Sequence, residues 1–391
     1  MHIHMFFRAV VASRMPGPLL YIRTRVKSLR RHSRLLLGSS IARLRGPRNY
    51  GTRLNAGVIS SVLVCRINGR LGNAVFLTPL IDRIHAMFPG AVIDLAMSFP
   101  QAQELLKKKP GVRRVIAFPH KGVDMVWRYL SAVLRMRATY YDVVIDPTPE
   151  STGGRIVLSL CRARYRIGYA NGSQWAPLTH AIPEFPERLH QGAVPVYLLC
   201  SVLGAPFRQE DVRLALHLQP TEIEAGRAAI VKALQRRNAP LSSARHTFGF
   251  FAHGTGSKPL ERSWWLAFWK AFLELEPQAV PVEFLPAPAA KPTDERFPAL
   301  HLKSVRDLTA AIAATRMFIS ADTGPMHLAS ATQVPTVGLF QSSDPTLYRP
   351  LKQNDLVVDA SNCPPWLVAQ KCHALWRLAA LPAAHFEKTI P

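Results

Sequence analysis

No stretch of this 391-residue chain is apolar for long enough to cross a bilayer: the best candidate near its start, Met5 to Ala12, is broken by Arg8 and followed by Arg14, Pro16 and Gly17. Cysteine is scarce and unpatterned. The five, Cys65, Cys161, Cys200, Cys363 and Cys372, form no Cys-x-x-Cys pair, which argues against a disulfide framework or a zinc site and for a reducing compartment. Cys363 and Cys372 could still pair or share a metal, but their spacing fits two idle thiols better. Asp-x-Asp pairs are missing. The glycine turns also lack two familiar spacings: Asn68–Asn73 is not a dinucleotide fingerprint, and His253–Pro259 is not a P-loop.

Acidic residues are the last deficit. The chain carries 49 Lys and Arg against 25 Asp and Glu, a net charge of +24, and residues 1–55 hold twelve of those cations with no acid. Nucleic acid, an anionic membrane or an acidic substrate would each complement such a field. No RNP, helix-turn-helix or aromatic-interleaved basic motif appears in the globular part, so no nucleic-acid partner is expected. Leu19, Ile22, Val26 and Leu29 recur at helical spacing among Arg23, Arg25, Lys27, Arg30, Arg31 and Arg34. That is the pattern of a helix lying in a membrane interface; a disordered basic tail is the alternative.

What the chain does have is strands that run into glycine turns. Met317–Ser320 leads into Asp322-Thr323-Gly324-Pro325-Met326-His327, where Pro325 opens a helix whose free N–H groups can face an anion, and the strand Val334–Phe340 follows. An ordinary capped helix is the structural alternative. Val62–Ile67 likewise leads into Asn68-Gly69-Arg70-Leu71-Gly72-Asn73 and a helix from Ala74. Further strand-like runs at Ala91–Met97, Val112–Phe118 and Tyr141–Ile145 alternate with helical segments, the βαβ rhythm of a parallel sheet. A second series follows at His246–Phe251, Val280–Leu285 and Leu300–Lys303, with a proline-rich, irregular loop after Leu285. The expected organisation is an arm over 1–55, a first domain over 56–205, a connecting region over 206–245, a second domain over 246–350 and a partly helical tail over 351–391.

In order, Leu71-Gly72-Asn73, Tyr141–Asp146, Arg166-Ile167-Gly168-Tyr169, the turn before Trp264-Trp265 and the block from Asp322-Thr323-Gly324 to Arg349-Pro350 resemble glycosyltransferase family 9, the bacterial lipopolysaccharide heptosyltransferases. The resemblance implies an α/β fold of two Rossmann-like domains facing across a cleft, the GT-B type, here with a basic N-terminal extension. It implies a metal-free, cofactor-free inverting transfer of a sugar, expected to be heptose from ADP-heptose, to the acidic lipopolysaccharide core. The expected location is cytoplasmic, at the inner face of the inner membrane, where an anionic surface meets the basic arm.

Thr323 and Gly324, with a hydroxyl and N–H dipoles, are expected to bind the donor, with His327 behind them as a packing or capping residue, and the resemblance assigns the donor phosphates to the position of Arg262, where the family usually has Lys. Ser257 and Lys258 lie in the glycine-rich turn beside it, and either cation suits phosphate. Asp322 is expected to fix its turn or contact the donor sugar, and Gly69, Arg70 and Gly72 to shape the acceptor side. At the catalytic position the chain departs from its family, with Asn73 where many members carry an Asp that serves as general base. An amide cannot take up a proton at useful pH. Either another carboxylate serves, with Asp322, Asp146 and Glu150 the ones to examine, or the acceptor reacts unaided, or the chain is an idle binding relative.

Overall fold

The computed structural model describes residues 54, 58–99, 101–119, 125–149, 151–170, 178–183, 188–238, 245–254 and 260–379. All of the N-terminal arm except Leu54 lies outside them, as do Ser257, Lys258 and Glu150. The first half runs β1 (Ser61–Arg66), α1 (Leu71–Val75), α2 (Thr78–Met87), β2 (Val92–Met97), α3 (Ala102–Leu106), β3 (Val112–Ala117), α4 (Met125–Arg137), β4 (Tyr140–Asp146), α5 (Thr152–Leu160), β5 (Arg162–Ala170), β6 (His180–Pro183) and α6 (Ala193–Leu203). Helix α7 (Pro220–Gln235) leads to the second half: β7 (Thr247–Phe251), α8 (Arg262–Leu275), β8 (Val280–Phe284), β9 (Ala299–Leu300), α9 (Val305–Ala313), β10 (Met317–Ala321), α10 (Gly324–Ser330), β11 (Thr336–Phe340), α11 (Pro345–Tyr348), β12 (Leu356–Asp359) and α12 (Pro365–Leu378).

Both sheets are six-stranded and parallel, ordered β3-β2-β1-β4-β5-β6 and β12-β11-β10-β7-β8-β9. Numbered from its own first strand, the second order is the first one reversed, so each half is a doubly wound Rossmann sheet. Each has its switch point between its first and fourth strands, β1 beside β4 and β7 beside β10. The two-domain α/β expectation holds. Three strands went unrecognised in the sequence: β5, laden with Arg162, Arg164 and Arg166, and the short β6 and β12. Residues 356–378, expected within a tail, supply the last strand of the second sheet and a helix that buries Trp376 against Phe248 and Phe272.

Local chemistry sets several boundaries. Pro220 opens α7, where Gln219 and Glu222 close a capping box, and Gly204 ends α6 at a φ of 64° that a side chain would strain. An aromatic layer of Phe248, Phe250, Trp265, Phe268, Trp269 and Phe272 fills the space between β7 and α8. On the other side the largest apolar cluster draws residues from both halves, among them Val64, Leu77 and Leu80 with Phe284, Phe318 and Leu328. The two sheets therefore share a core, and separating them would expose it to water.

Arg306, at the start of α9, ties this arrangement together. Its Nε and Nη2 donate to the two carboxylate oxygens of Glu222 at 2.7 and 2.8 Å, while Nη1 donates to the Leu105 carbonyl of the first half and Nη2 also to that of His217. Lys108 adds a contact to Glu222 at 2.7 Å. Chiefly through the Arg306 hydrogen bonds, the Glu222 carboxyl is lowered to about 2 from an ordinary 4.5. A depressed carboxylate stabilises the fold fully above the ordinary value and loses that contribution as pH falls towards the folded one. Glu222→Gln should therefore cost ~1.5–3 kcal/mol in thermal unfolding at neutral pH, a deficit that narrows as pH is lowered from about 4.5 towards 2.

Candidate active site at the paired switch points

The carboxyl ends of β1, β4, β7 and β10 carry the residues singled out in the sequence. Beyond β10, Asp322 is 2% exposed, and its Oδ1 lies 3.3 Å from Nε2 of His327 one helical turn on. One oxygen of the Asp322 carboxylate is thus held by His327. Thr323 occupies the position before α10 without capping it, and its hydroxyl pairs with that of Ser320 at 2.9 Å. His327 is buried, with its ring edge-on to Phe76 of the first half at 4.6 Å between centroids.

Two glycines allow the halves to meet here. A Cβ on Gly72 would sit 2.7 Å from Cδ2 of His327, and one on Gly324 would sit 2.7 Å from Cδ2 of Leu71. Each glycine thus admits a side chain belonging to the opposite motif. Gly324 meets Leu71 at its Cβ side, so a larger residue there would disturb the domain contact as well as the expected approach to phosphate.

Asn73 lies in the first turn of α1, where its Oδ1 accepts from Nη2 of Arg66 at 3.2 Å. Arg66 ends β1 and is 3% exposed; burial draws its pKa down to about 10, opposed by the nearby Asp146 carboxylate. Asp146 ends the neighbouring β4 and is fully buried, with Oδ1 accepting from the Thr148 N–H at 3.2 Å and Oδ2 3.7 Å from Nη1 of Arg155. Burial raises its pKa to about 6, against the pull of Arg155 and Arg66. Of the acceptor-side residues, Arg70 is exposed, while Gly69 and Gly72 are partly covered.

In the second half, β7 runs into His253, whose Nε2 lies 3.2 Å from Oε1 of Glu283 near the end of β8. Glu283 went unnoticed in the sequence, being one acid inside an apolar strand. It is fully buried and accepts from the Thr293 N–H at 2.6 Å and hydroxyl at 2.8 Å, pinning the proline-rich loop. The Thr293 carbonyl in turn accepts from Nε of Arg262 at 2.7 Å, so one edge of that guanidinium is fixed. His253, Leu260, Arg262, Trp265, Lys291 and Thr293 line a cavity of about 500 Å³. The register of β7 and β10 pairs Phe251 with Ser320, which sets the His253 turn beside the Asp322 turn.

His190 was also missed. It precedes α6, meets Phe76 at 5.4 Å between ring centroids, and lies 3.0 Å from the Arg349 carbonyl through Nε2, while its Nδ1 accepts from the Gly192 N–H at 3.0 Å. Burial lowers its pKa to about 3, so the ring is neutral and ties α6 to the segment after α11. Arg188 adds an ion pair with Asp344 at 2.7 Å across the same boundary.

Residues 297–376, which contain the Asp322 turn, match the model of glycosyltransferase family 9 (heptosyltransferase). The chain is 23% identical to lipopolysaccharide heptosyltransferase 3 of Escherichia coli, over 74% of this chain and 86% of that protein. A shorter segment is 36% identical to a Haemophilus influenzae protein assigned as a glycosyltransferase, of which it spans only 18%. In fold it is similar to a family 9 glycosyl transferase from Veillonella parvula, with a TM-score of 0.66, 17% identity and coverage of 83% of this chain and 99% of that one. It is also similar to the E. coli heptosyltransferase WaaC solved with ADP, with a TM-score of 0.64, 18% identity and coverage of 82% and 100%.

The glycine contacts are directly testable. Gly72→Ala should cost ~1–3 kcal/mol through overpacking against His327, read as a lowered melting temperature. Combined with His327→Ala, it should cost clearly less than the sum of the two single changes.

Proposed function

We propose that this chain, by residues 297–376 and by fold a glycosyltransferase of the family 9 type, transfers a heptose from ADP-heptose to the lipopolysaccharide core with inversion at the anomeric carbon. The observation that carries the reading is the meeting of the Leu71-Gly72-Asn73 turn with the Asp322–His327 turn at paired switch points, beside a cavity walled by Arg262. Open α/β sheets bind ligands at that place.

In the proposed reaction the acceptor hydroxyl oxygen attacks the anomeric carbon from the face opposite the diphosphate, the bond to the diphosphate oxygen breaks with its electron pair leaving on that oxygen, and the hydroxyl proton passes through water to the departing diphosphate. Charge builds on the leaving group, where Arg262 and the backbone N–H groups at the start of α10 would stabilise it. Ser257 and Lys258 are proposed to add to that cradle. Thr323 would offer its hydroxyl to phosphate, and Asp322, held by His327, would fix the shape of the turn. Gly69, Arg70 and Gly72 would form the acceptor side. Asn73 would orient the acceptor hydroxyl through its amide, since its Oδ1 already accepts from Arg66. Asp146 is too enclosed to touch an acceptor and would instead be the single carboxylate that Arg66 and Arg155 share. The acidic core acceptor is proposed to be met at an anionic cytoplasmic membrane face, consistent with the excess of cations.

Titration calorimetry with ADP and ADP-heptose tests the donor side. Arg262→Ala should weaken both by ~1.5–3 kcal/mol, the range for a charged hydrogen bond; unchanged binding of both would remove this cavity from the donor site. Transfer assays test the acceptor side. Asn73→Asp should keep or raise turnover, within the ~10²–10⁴-fold that a general base contributes. Binding of ADP-heptose without transfer to any core acceptor by the wild type would identify an idle relative instead.

A further inference from the structure

Five of the nine large hydrophobic side chains that stand exposed among the described residues fall between residues 126 and 140. Four belong to α4. Trp127, Leu130 and Leu134 recur at i, i+3 and i+7, with Val126 flanking them, and they are 76%, 46%, 69% and 62% exposed respectively. The helix needs none of them for its own packing. Its opposite side, Ala132 and Met136 with Tyr129 and Val133, fills the core against Cys65, Tyr141 and Cys161. An apolar stripe this concentrated on the outside of an otherwise well-packed domain marks a surface that something covers.

Charge narrows what that is. Helix α4 contains Arg128, Arg135 and Arg137 and no acid; Asp124 precedes it in sequence, and Asp142 of β4 is engaged by Ser60 and Ser61. Arg113 and Arg114 of the adjoining β3 share the single buried carboxylate of Asp94, which leaves one positive charge over, and Nη2 of Arg114 reaches the Arg135 carbonyl at the end of the helix. A second copy of this surface would set arginine against arginine. The chain's own residues 1–53 carry only cations as well, so they do not complement it. An apolar stripe flanked by arginines fits an anionic lipid surface, into which the indole and leucines enter while the guanidiniums meet phosphates.

We propose that α4 docks on an anionic phospholipid bilayer through Trp127, Leu130 and Leu134. In a parallel sheet the helix that follows a strand starts near the strand's carboxyl edge, so Trp127 lies at the end of α4 nearer the Asn73 turn. Docking there would bring a lipid-borne acceptor towards that turn. This consequence for turnover rests on the proposed transfer, whereas binding itself does not.

The full chain is mixed with vesicles of phosphatidylcholine containing phosphatidylglycerol, and association is read by co-sedimentation and by quenching of tryptophan fluorescence with brominated lipid. Residues 1–53 contain no tryptophan, so quenching does not report on them. The wild type should be quenched, with association falling at high salt. Trp127→Phe should bind while losing most of the quenching. Leu130→Asp combined with Leu134→Asp should reduce association roughly tenfold or more, without changing the circular dichroism spectrum or ADP binding. Quenching that survives Trp127→Phe, or association that survives the double change, overturns the proposal. So does a wild-type dimer that the double change dissociates, since a second copy would then be the occupant. Neither readout requires a sugar donor, so a failure of transfer leaves the result on α4 intact.

Discussion

The reciprocal contact between the two glycine turns is the constraint on which the rest depends. Gly72 leaves room for His327, and Gly324 leaves room for Leu71, so each half supplies the space that the other half fills. Because the surrounding apolar core is continuous from Val64 to Leu328, the contact is backed by buried surface. Arg306 and Glu222 brace it from one side, and His190 and Arg188 from another. The positions of Asn73, Asp322 and Arg262 relative to one another follow from that packing.

Buried charge around the switch points follows one pattern. Asp322 faces His327, Asp146 faces Arg155, and Glu283 holds Thr293 beside His253. Each carboxylate near the carboxyl edge of a sheet is engaged within the protein, where leaving it without a partner would cost several kcal/mol. For Asp322 the contact to His327 occupies one carboxylate oxygen, Oδ1, inside the protein. The pattern also bears on Asn73. Arg66 and Arg155 share the single carboxylate of Asp146, so an amide at position 73 leaves one positive charge over. An aspartate there would add a second carboxylate to the same arginine.

Some of this was legible in the sequence because the signal was local. The β1 and β10 runs end in turns whose glycines, Pro325 and polar caps are fixed by backbone geometry alone, and their alternation with helices specified parallel sheets. The strands that escaped notice are those whose apolar signal is diluted. β5 alternates arginine with Ala163 and Tyr165, and β6 and β12 are four residues long. Glu283 and His190 were illegible for a different reason. A single acid in Val-Pro-Val-Glu-Phe and a histidine ahead of a helix acquire meaning only from Thr293 and Arg349, which lie ten and 159 residues away.

By itself the sequence determined which residues stand at the ends of strands, and hence that Leu71-Gly72-Asn73 and Asp322-Thr323-Gly324 follow strand ends, where open α/β sheets generally bind ligands. It determined too that the chain is strongly cationic and that position 73 lacks a proton acceptor. Only the tertiary structure decided that the two turns touch, that Asp322 is directed to a histidine, and that Trp127, Leu130 and Leu134 face outward while Ala132 and Met136 face the core. The physical reason is one of range. Backbone propensity and turn chemistry act over a few residues and are written in consecutive letters, whereas burial, ion pairing and close approach are properties of neighbours that folding alone brings together.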